Sequence, residues 1–316
     1  MATAQELLRT QCARFAALDP QLPDGYPVPQ GEPLVARTAG GDAVAGIIAR
    51  TSNPPGSMQS LWQPSSVFEL FPLIGEHSRG GMEALLAAWR EWLVAQGAPE
   101  RDSTCLVTWP SRDVLAAKAL LDGGFTPLSC LAVRPPTPPC EFTELSGTVT
   151  VRRAGPADLD AVVELTLLEL EYAALVGSST YRPDAPQLKR TAAHVRLHSS
   201  DPVWLAERGG TPVAVAECGW VDADRPSAGH RLRPGTWAYV NCVSVREQDR
   251  GTGVGQQLMT AVHEEFVRAG VIGSFLYYNP PNPLSSVFWP RQGYRPLWTM
   301  WEVRPATALR GPVHQP

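Results

Sequence analysis

The sequence predicts an α+β chain made of two tandem halves of one design, each a mixed, mainly antiparallel sheet flanked by helices. Three observations predict it. The 316 residues exceed a common single domain, and 44% hydrophobic against 18% charged residues supply the apolar side chains that two cores need. PLVARTAGGDAVAGIIA from residue 33 and PVWLAERGGTPVAVAEC from residue 202 each read as strand, Gly-Gly turn and strand, 169 residues apart. GFTPLSCLAVRP from Gly124 and GYRPLWTMWEVRP from Gly293 repeat that 169-residue spacing. Two matches at one period imply a tandem duplication, with domains at 1–135 and 148–316 and a proline-rich linker at 136–147.

Local pattern justifies each element of the second half. Thr148–Arg153 alternates as a first strand, and Gly155-Pro-Ala-Asp opens a helix whose apolar stripe runs from Leu159 through Val162 and Val163 to about Leu175. A second helix covers Gln187–His198, the hairpin 202–221 follows, and Trp237–Val245 is rich in Val and aromatic residues, as a strand is. Arg250–Gly255 then leads into a helix, Gln256–Ala269, with Leu258, Met259, Val262 and Phe266 on its apolar face. A strand at Ile272–Tyr278, a short helix from Asn282 to Gln292 and a strand from Tyr294 to Arg304 complete the unit. The first half is shorter: helix Gln5–Leu18, hairpin 33–52, strand Ser66–Pro72, helix Gly81–Gln96, strand Cys105–Trp109, helix Asp113–Leu121 and a final strand, with no counterpart to Thr148–Arg153.

Charge and cysteine usage narrow the function. With 27 Lys+Arg against 31 Asp+Glu the net charge is -4, so no global field draws the chain to nucleic acid or an anionic membrane. Six scattered cysteines contain no C-x-x-C pair, and His194 and His198 have no third ligand beside them, so no metal is expected. No basic-then-apolar leader and no apolar run of bilayer length is present, which reads as a cytoplasmic protein.

The chemistry concentrates at Arg250-Gly251-Thr252-Gly253-Val254-Gly255, a glycine-rich turn between strand and helix whose backbone N–H groups suit a phosphate or pyrophosphate. A P-loop requires Lys-Ser/Thr where Gln256-Gln257 stand. A dinucleotide fold requires G-x-G-x-x-G after the first strand, not G-x-G-x-G late in the domain.

The stretch from Val243 to Gly255 instead resembles the Gln/Arg-x-x-Gly-x-Gly/Ala acetyl-CoA motif of the GNAT superfamily of N-acyltransferases. Downstream, Asn282, Ser285, Trp289, Gly293 and Tyr294 fall where that superfamily shows Asn, Ala, Tyr, Gly and an aromatic, and the resemblance covers Thr148 to about Pro305. It implies acetyl-CoA as co-substrate. The turn Arg250–Gly255 would take the pyrophosphate, with Thr252 and Val254 inside it. Val243, Ser244 and Val245 would pair with the pantetheine arm and turn an N–H toward the thioester carbonyl. Asn282, Ser285 and Trp289 would lie at the pantetheine end.

The implied reaction is transfer of an acetyl group to an amine of a small molecule or peptide by direct attack, in a monomer or dimer. A non-catalytic acyl-CoA-binding module and a mycothiol synthase-like tandem enzyme are the alternatives. Because Trp289 stands where the family commonly has a proton-donating tyrosine, Tyr278, Ser285 or water is expected to supply the proton, with Glu217 as base directly or through a water and Asn241 supporting the strand backbone. Of Tyr277 and Tyr278, one is expected to pack and the other to face the cleft. Glu164, Glu169 and Glu171 read as a solvated helix face, with an acidic rim that attracts a cationic amine as the alternative. In the first half His77–Met82 stands against Arg250–Gly255, with Met82 replacing the last glycine, and Asp113 replaces Asn282. That half reads as a decayed copy with a structural duty.

Overall fold

The computed structural model describes residues 3–26, 28–138, 149–177, 179–224 and 231–311. The first half runs α1 (Ala4–Leu18), β1 (Glu32–Arg37), β2 (Ala43–Ser52), β3 (Ser66–Leu73), α2 (Ser78–Ala95), β4 (Ser103–Pro110), α3 (Val114–Asp122) and β5 (Thr126–Arg134). The second runs β6 (Val149–Arg153), α4 (Leu159–Leu175), α5 (Ala185–Leu197), β7 (Val203–Arg208), β8 (Thr211–Asp222), β9 (Thr236–Val245), α6 (Val254–Arg268), β10 (Gly273–Tyr278), α7 (Ser285–Arg291) and β11 (Arg295–Val303). Residues 139–147 of the linker, with Cys140 and Thr148, lie outside the described residues.

Local chemistry sets these boundaries. Thr3 and Glu6 close a reciprocal capping box on α1. In the second hairpin Gly209 and Gly210 take positive φ, a backbone that a side chain would strain. Helix α2 starts at Ser78, three residues before the expected Gly81, because the His77 backbone turns directly into it.

The eleven strands of the described residues join one sheet in the order β1-β2-β3-β4-β11-β5-β10-β9-β8-β7-β6. The mixed, mainly antiparallel sheet flanked by helices is present in both halves, and the two merge because their last strands trade places. Strand β11 lies between β4 and β5, and β5 lies between β11 and β10. The registers repeat the sequence period: Cys105 pairs with Val303 as Ser274 pairs with Arg134, each partner displaced by 169 residues. Trp109 pairs with Thr299 as Tyr278 pairs with Cys130, and Cys130 pairs with Thr299 at the centre of the sheet. Strand β6 has no counterpart among the described residues of the first half.

The exchange makes one main core from both halves. Phe15 and Tyr26 pack edge to face on Trp109, and Phe15 does the same on Trp298 of β11, which is fully buried. Polar contacts cross the same seam. Arg295 donates to Asp19 at 2.9 Å, Thr104 to Glu302 at 2.9 Å, and Arg231 to Glu69 at 3.0 Å while lying over the Phe71 and Trp298 rings. A smaller apolar cluster joins Leu61 of the first half to Leu170 and Ala185 of the second. Among the described residues no helix is long and apolar enough to cross a membrane.

Candidate active site

The site begins where two parallel strands part. Strands β9 and β10 pair from Trp237/Gly273 to Val240/Leu276 and no further, although β9 continues to Val245 and β10 to Tyr278. Asn241 is the extra residue of a bulge against β8, between the Glu217/Cys242 and Cys218/Val240 pairs, and the bulge bends β9 away from its neighbour. Val243, Ser244 and Val245 stay paired with Ala216, Val215 and Ala214 of β8, so the other edge of this segment faces the opening.

Beneath it lies the glycine turn. Gly251 and Gly253 have φ of 73° and 86°, and Gly253 caps α6 in the left-handed conformation. The Gly253 carbonyl accepts the N–H groups of Gln256 and Gln257, whereas the N–H groups of residues 251–255 have no backbone acceptor among the described residues. That is a helix N-terminus with free donors, the arrangement that holds an anion. A Cβ on Gly255 would sit 3.4 Å from Val245 and 3.5 Å from Phe288, so this glycine leaves a cradle between β9 and α7. The residues present thus fit the pyrophosphate and arm of coenzyme A.

Several expected contacts take other roles. Arg250 turns its Nε to the Val245 carbonyl at 3.1 Å and lies over the Tyr172 ring, bracing the turn. Val254 is buried as the first core residue of α6, and Thr252 donates to the Asp249 carbonyl at 2.7 Å. Arg208, which no sequence pattern marks, reaches the turn from β7, pairing with Asp249 at 2.8 Å and donating to Thr252 at 3.1 Å. Asn282 caps α7 through the N–H groups of Leu284 and Ser285, and the Ser285 hydroxyl donates to the Asn279 and Asn282 carbonyls. Trp289, expected at the cofactor, is a core residue against Phe288 and Tyr294; the helix starts at Ser285, and that phase turns Phe288 to the cradle instead.

The opposite side of the sheet gathers the ionisable groups. Glu217 is buried, accepts from Asn241 Nδ2 at 3.0 Å and lies 3.9 Å from Arg196 Nε. Arg196 also donates to the Cys218 carbonyl at 2.6 Å. Glu169 departs from the solvated face expected of it. On α4 it follows Thr166 by one turn and precedes Ala173 by another, both buried, so it is half-buried and directed at β8 and β9. Burial raises its carboxyl above the ordinary value, Lys189 draws it down, and Glu217 pushes it further up. Tyr277 is 43% exposed, and the burial of the rest of the side chain raises its phenol above the ordinary value. Tyr278 packs on the α6 side of the sheet, where burial and then Cys130 push its phenol up to about 12. A phenol so raised donates a hydrogen bond but holds its proton. Among the described residues no group of three or more metal-ligating side chains exists.

The first half has a matching opening, and it is filled. Strands β3 and β4 pair only as far as Leu70/Val107. Asp113, buried where Asn282 stands in the other half, accepts from Arg14, from Ser78 at 2.6 Å and from Trp109 at 2.8 Å. Burial opposes its ionisation, but these donors hold its carboxyl below the usual range. Met82 does not occupy the turn as its alignment with Gly255 implies; it is fully buried in the core. The glycine facing the strand end is Gly81, where a Cβ would lie 2.8 Å from that of Ile74, so no cradle is left.

Residues 165–294 match the model of the Acetyltransferase (GNAT) family. Among solved structures, a GCN5-related N-acetyltransferase from Sphaerobacter thermophilus is 18% identical, with a TM-score of 0.58 over 96% of this chain and 93% of that one. A GCN5-related N-acetyltransferase from Ralstonia eutropha JMP134 is 21% identical, with a TM-score of 0.39 over 47% of this chain and 94% of that one. An aminoglycoside acetyltransferase from an uncultured soil metagenomic sample is 17% identical, with a TM-score of 0.35 over 47% and 90%. None of the curated proteins matches the chain. The first of these structures shares the fold across both halves, and the parted strands, the glycine turn and Glu169 all fall inside the matched residues, which form a GNAT acetyltransferase domain.

Proposed function

We propose that the chain transfers an acetyl group from acetyl-CoA to the amine of an acceptor by direct attack, using one site in the second half. The observation that carries this reading is the parting of β9 and β10 beyond Val240/Leu276 directly above a glycine turn with free N–H donors. Acetyl-CoA supplies the thioester and departs as a thiol. The chain's own residues bind and position: residues 251–255 hold the pyrophosphate, and the free edge of Val243–Val245 pairs with the pantetheine arm. On the far side, the acceptor amine gives up its proton to Glu169, while Glu217, held by Asn241 and Arg196, fixes the wall beside it. Tyr278 orients the leaving group as a hydrogen-bond donor, and its proton comes from solvent. The filled opening between β3 and β4 supports a structural duty for the first half, as a decayed tandem copy whose strand exchange braces the second.

The test is to mix the protein with acetyl-CoA and a panel of amines and follow free thiol. Thiol release dependent on an amine is expected. Tight acetyl-CoA binding with no amine-dependent release would make the chain a binding module.

The cradle is tested by Gly255→Ala. The position is helical and its added Cβ meets only ordinary contacts, so thermal stability should be unchanged or slightly raised. Acetyl-CoA affinity should fall about tenfold, on the order of 1.4 kcal/mol by calorimetry, because the methyl occupies the cradle. Unchanged affinity would place the cofactor elsewhere.

A further inference from the structure

Lys189, one of only two lysines in the chain, sits on α5 with 7% of its surface exposed. Its stem is buried, while its ammonium nitrogen keeps contact with solvent and so stays within reach of a ligand. Among the described residues its ammonium makes no hydrogen bond and no ion pair within 4.0 Å; it lies 5.3 Å over the Trp62 ring. Trp62 belongs to the first half and is held firmly. The turn before it receives the Thr180 N–H at the Leu61 carbonyl and Arg182 Nε at the Ser60 carbonyl, both at 2.8 Å. The first half therefore fixes where this ammonium stands.

Glu169 stands on α4, which packs against α5, near enough to feel the Lys189 charge, and likewise has no hydrogen bond or ion pair among the described residues. The two charges interact, since Lys189 lowers the Glu169 carboxyl, but they do not close on each other. The adjacent charges are already matched: Glu217 is engaged by Asn241 and Arg196, and Arg196 also lies 3.4 Å from Asp201. A carboxylate on α4, which packs over β8 and β9, and an ammonium on the neighbouring α5 thus stand more than 4.0 Å apart, each without another ion-pair partner among the described residues.

We infer that the acceptor is an amino acid-like zwitterion, whose amine is received by Glu169 and whose own carboxylate is bound by Lys189. This rests on the acyltransferase reading of the same site and narrows it. A simple amine would leave Lys189 without a partner, and a polycation would be repelled by it, so the site selects by what it rejects as well as by what it pairs. Trp62 is a positioning residue that acts through Lys189.

Binding and turnover test this separately. With the CoA-saturated protein, calorimetry compares the common α-amino acids, β-alanine and 4-aminobutyrate with their carboxamides. At least one acid should bind about tenfold more tightly than its amide. Lys189→Met should erase that difference by weakening the acid and sparing the amide, and Lys189→Arg should restore most of it. Trp62→Ala should weaken the acid in part. Acetyl-CoA affinity should be unchanged in all three, which also shows that they fold. The inference is overturned if the wild type binds no acid, if acid and amide bind alike, or if Lys189→Met weakens both equally. Absence of amine-dependent thiol release would contradict the transfer reading instead and leave the binding comparison standing.

Discussion

Residues 141–316 produced alone should fail to reach the native fold. In the whole chain β11 is flanked by β4 and β5, and β10 by β5, all supplied by the first half. Removing that half strips both pairing partners from β11 and uncovers Trp298, Leu297 and Val303, each now at most 2% exposed. Each of these side chains contributes roughly 1.5–3 kcal/mol by its burial, against a total domain stability of about 5–15 kcal/mol. Unpaired strand edges add a tendency to aggregate. Near-ultraviolet circular dichroism and sedimentation should therefore show an unfolded or aggregated fragment, and co-production with residues 1–138 should restore a soluble pair. A monomeric fragment with native acetyl-CoA affinity would show instead that the strand exchange is dispensable.

Glu169→Gln should have the largest effect on turnover. Its carboxylate is the open one in the cluster, and general base catalysis is worth about 10²- to 10⁴-fold, so kcat should fall by at least about 10²-fold with the KM for acetyl-CoA nearly unchanged. The pH dependence has a definite sign. Burial raises this carboxyl above 4.5, and only its ionised form accepts a proton, so activity falls as pH falls through that raised value. The glutamine variant should lose that acid limb. Near wild-type kcat would leave positioning alone to explain the rate.

The elements and the glycine turn were legible because each is a local pattern: period-two strands, period-3.6 helices, and glycines where positive φ is required at 251 and 253. The strand exchange was not. A 169-residue repeat identifies Thr126–Arg134 and Arg295–Val303 as equivalent strands, but equivalence does not say which neighbour each takes, and here each crosses to the other half. Glu169 was hidden by its helix. Leu165, Leu167, Leu168 and Leu170 surround it with apolar residues on every side, so no stripe distinguishes the buried face, and only packing against β8 and β9 reveals it. Trp289 was misplaced for a related reason: its spacing matches the family tyrosine, but a seven-residue helix starting at Ser285 aims it into the core. Lys189 carries no local signal, because its partner ring, Trp62, lies in the other half and far away in sequence.

We propose one acetyl-CoA site per chain, in the second half, because the matching opening of the first half is filled by Asp113, Arg14, Ser78 and Trp109. Isothermal titration of the intact protein with acetyl-CoA tests it most directly. The account predicts a stoichiometry of one per chain that Gly255→Ala weakens; a stoichiometry of two, or binding indifferent to Gly255, would contradict it.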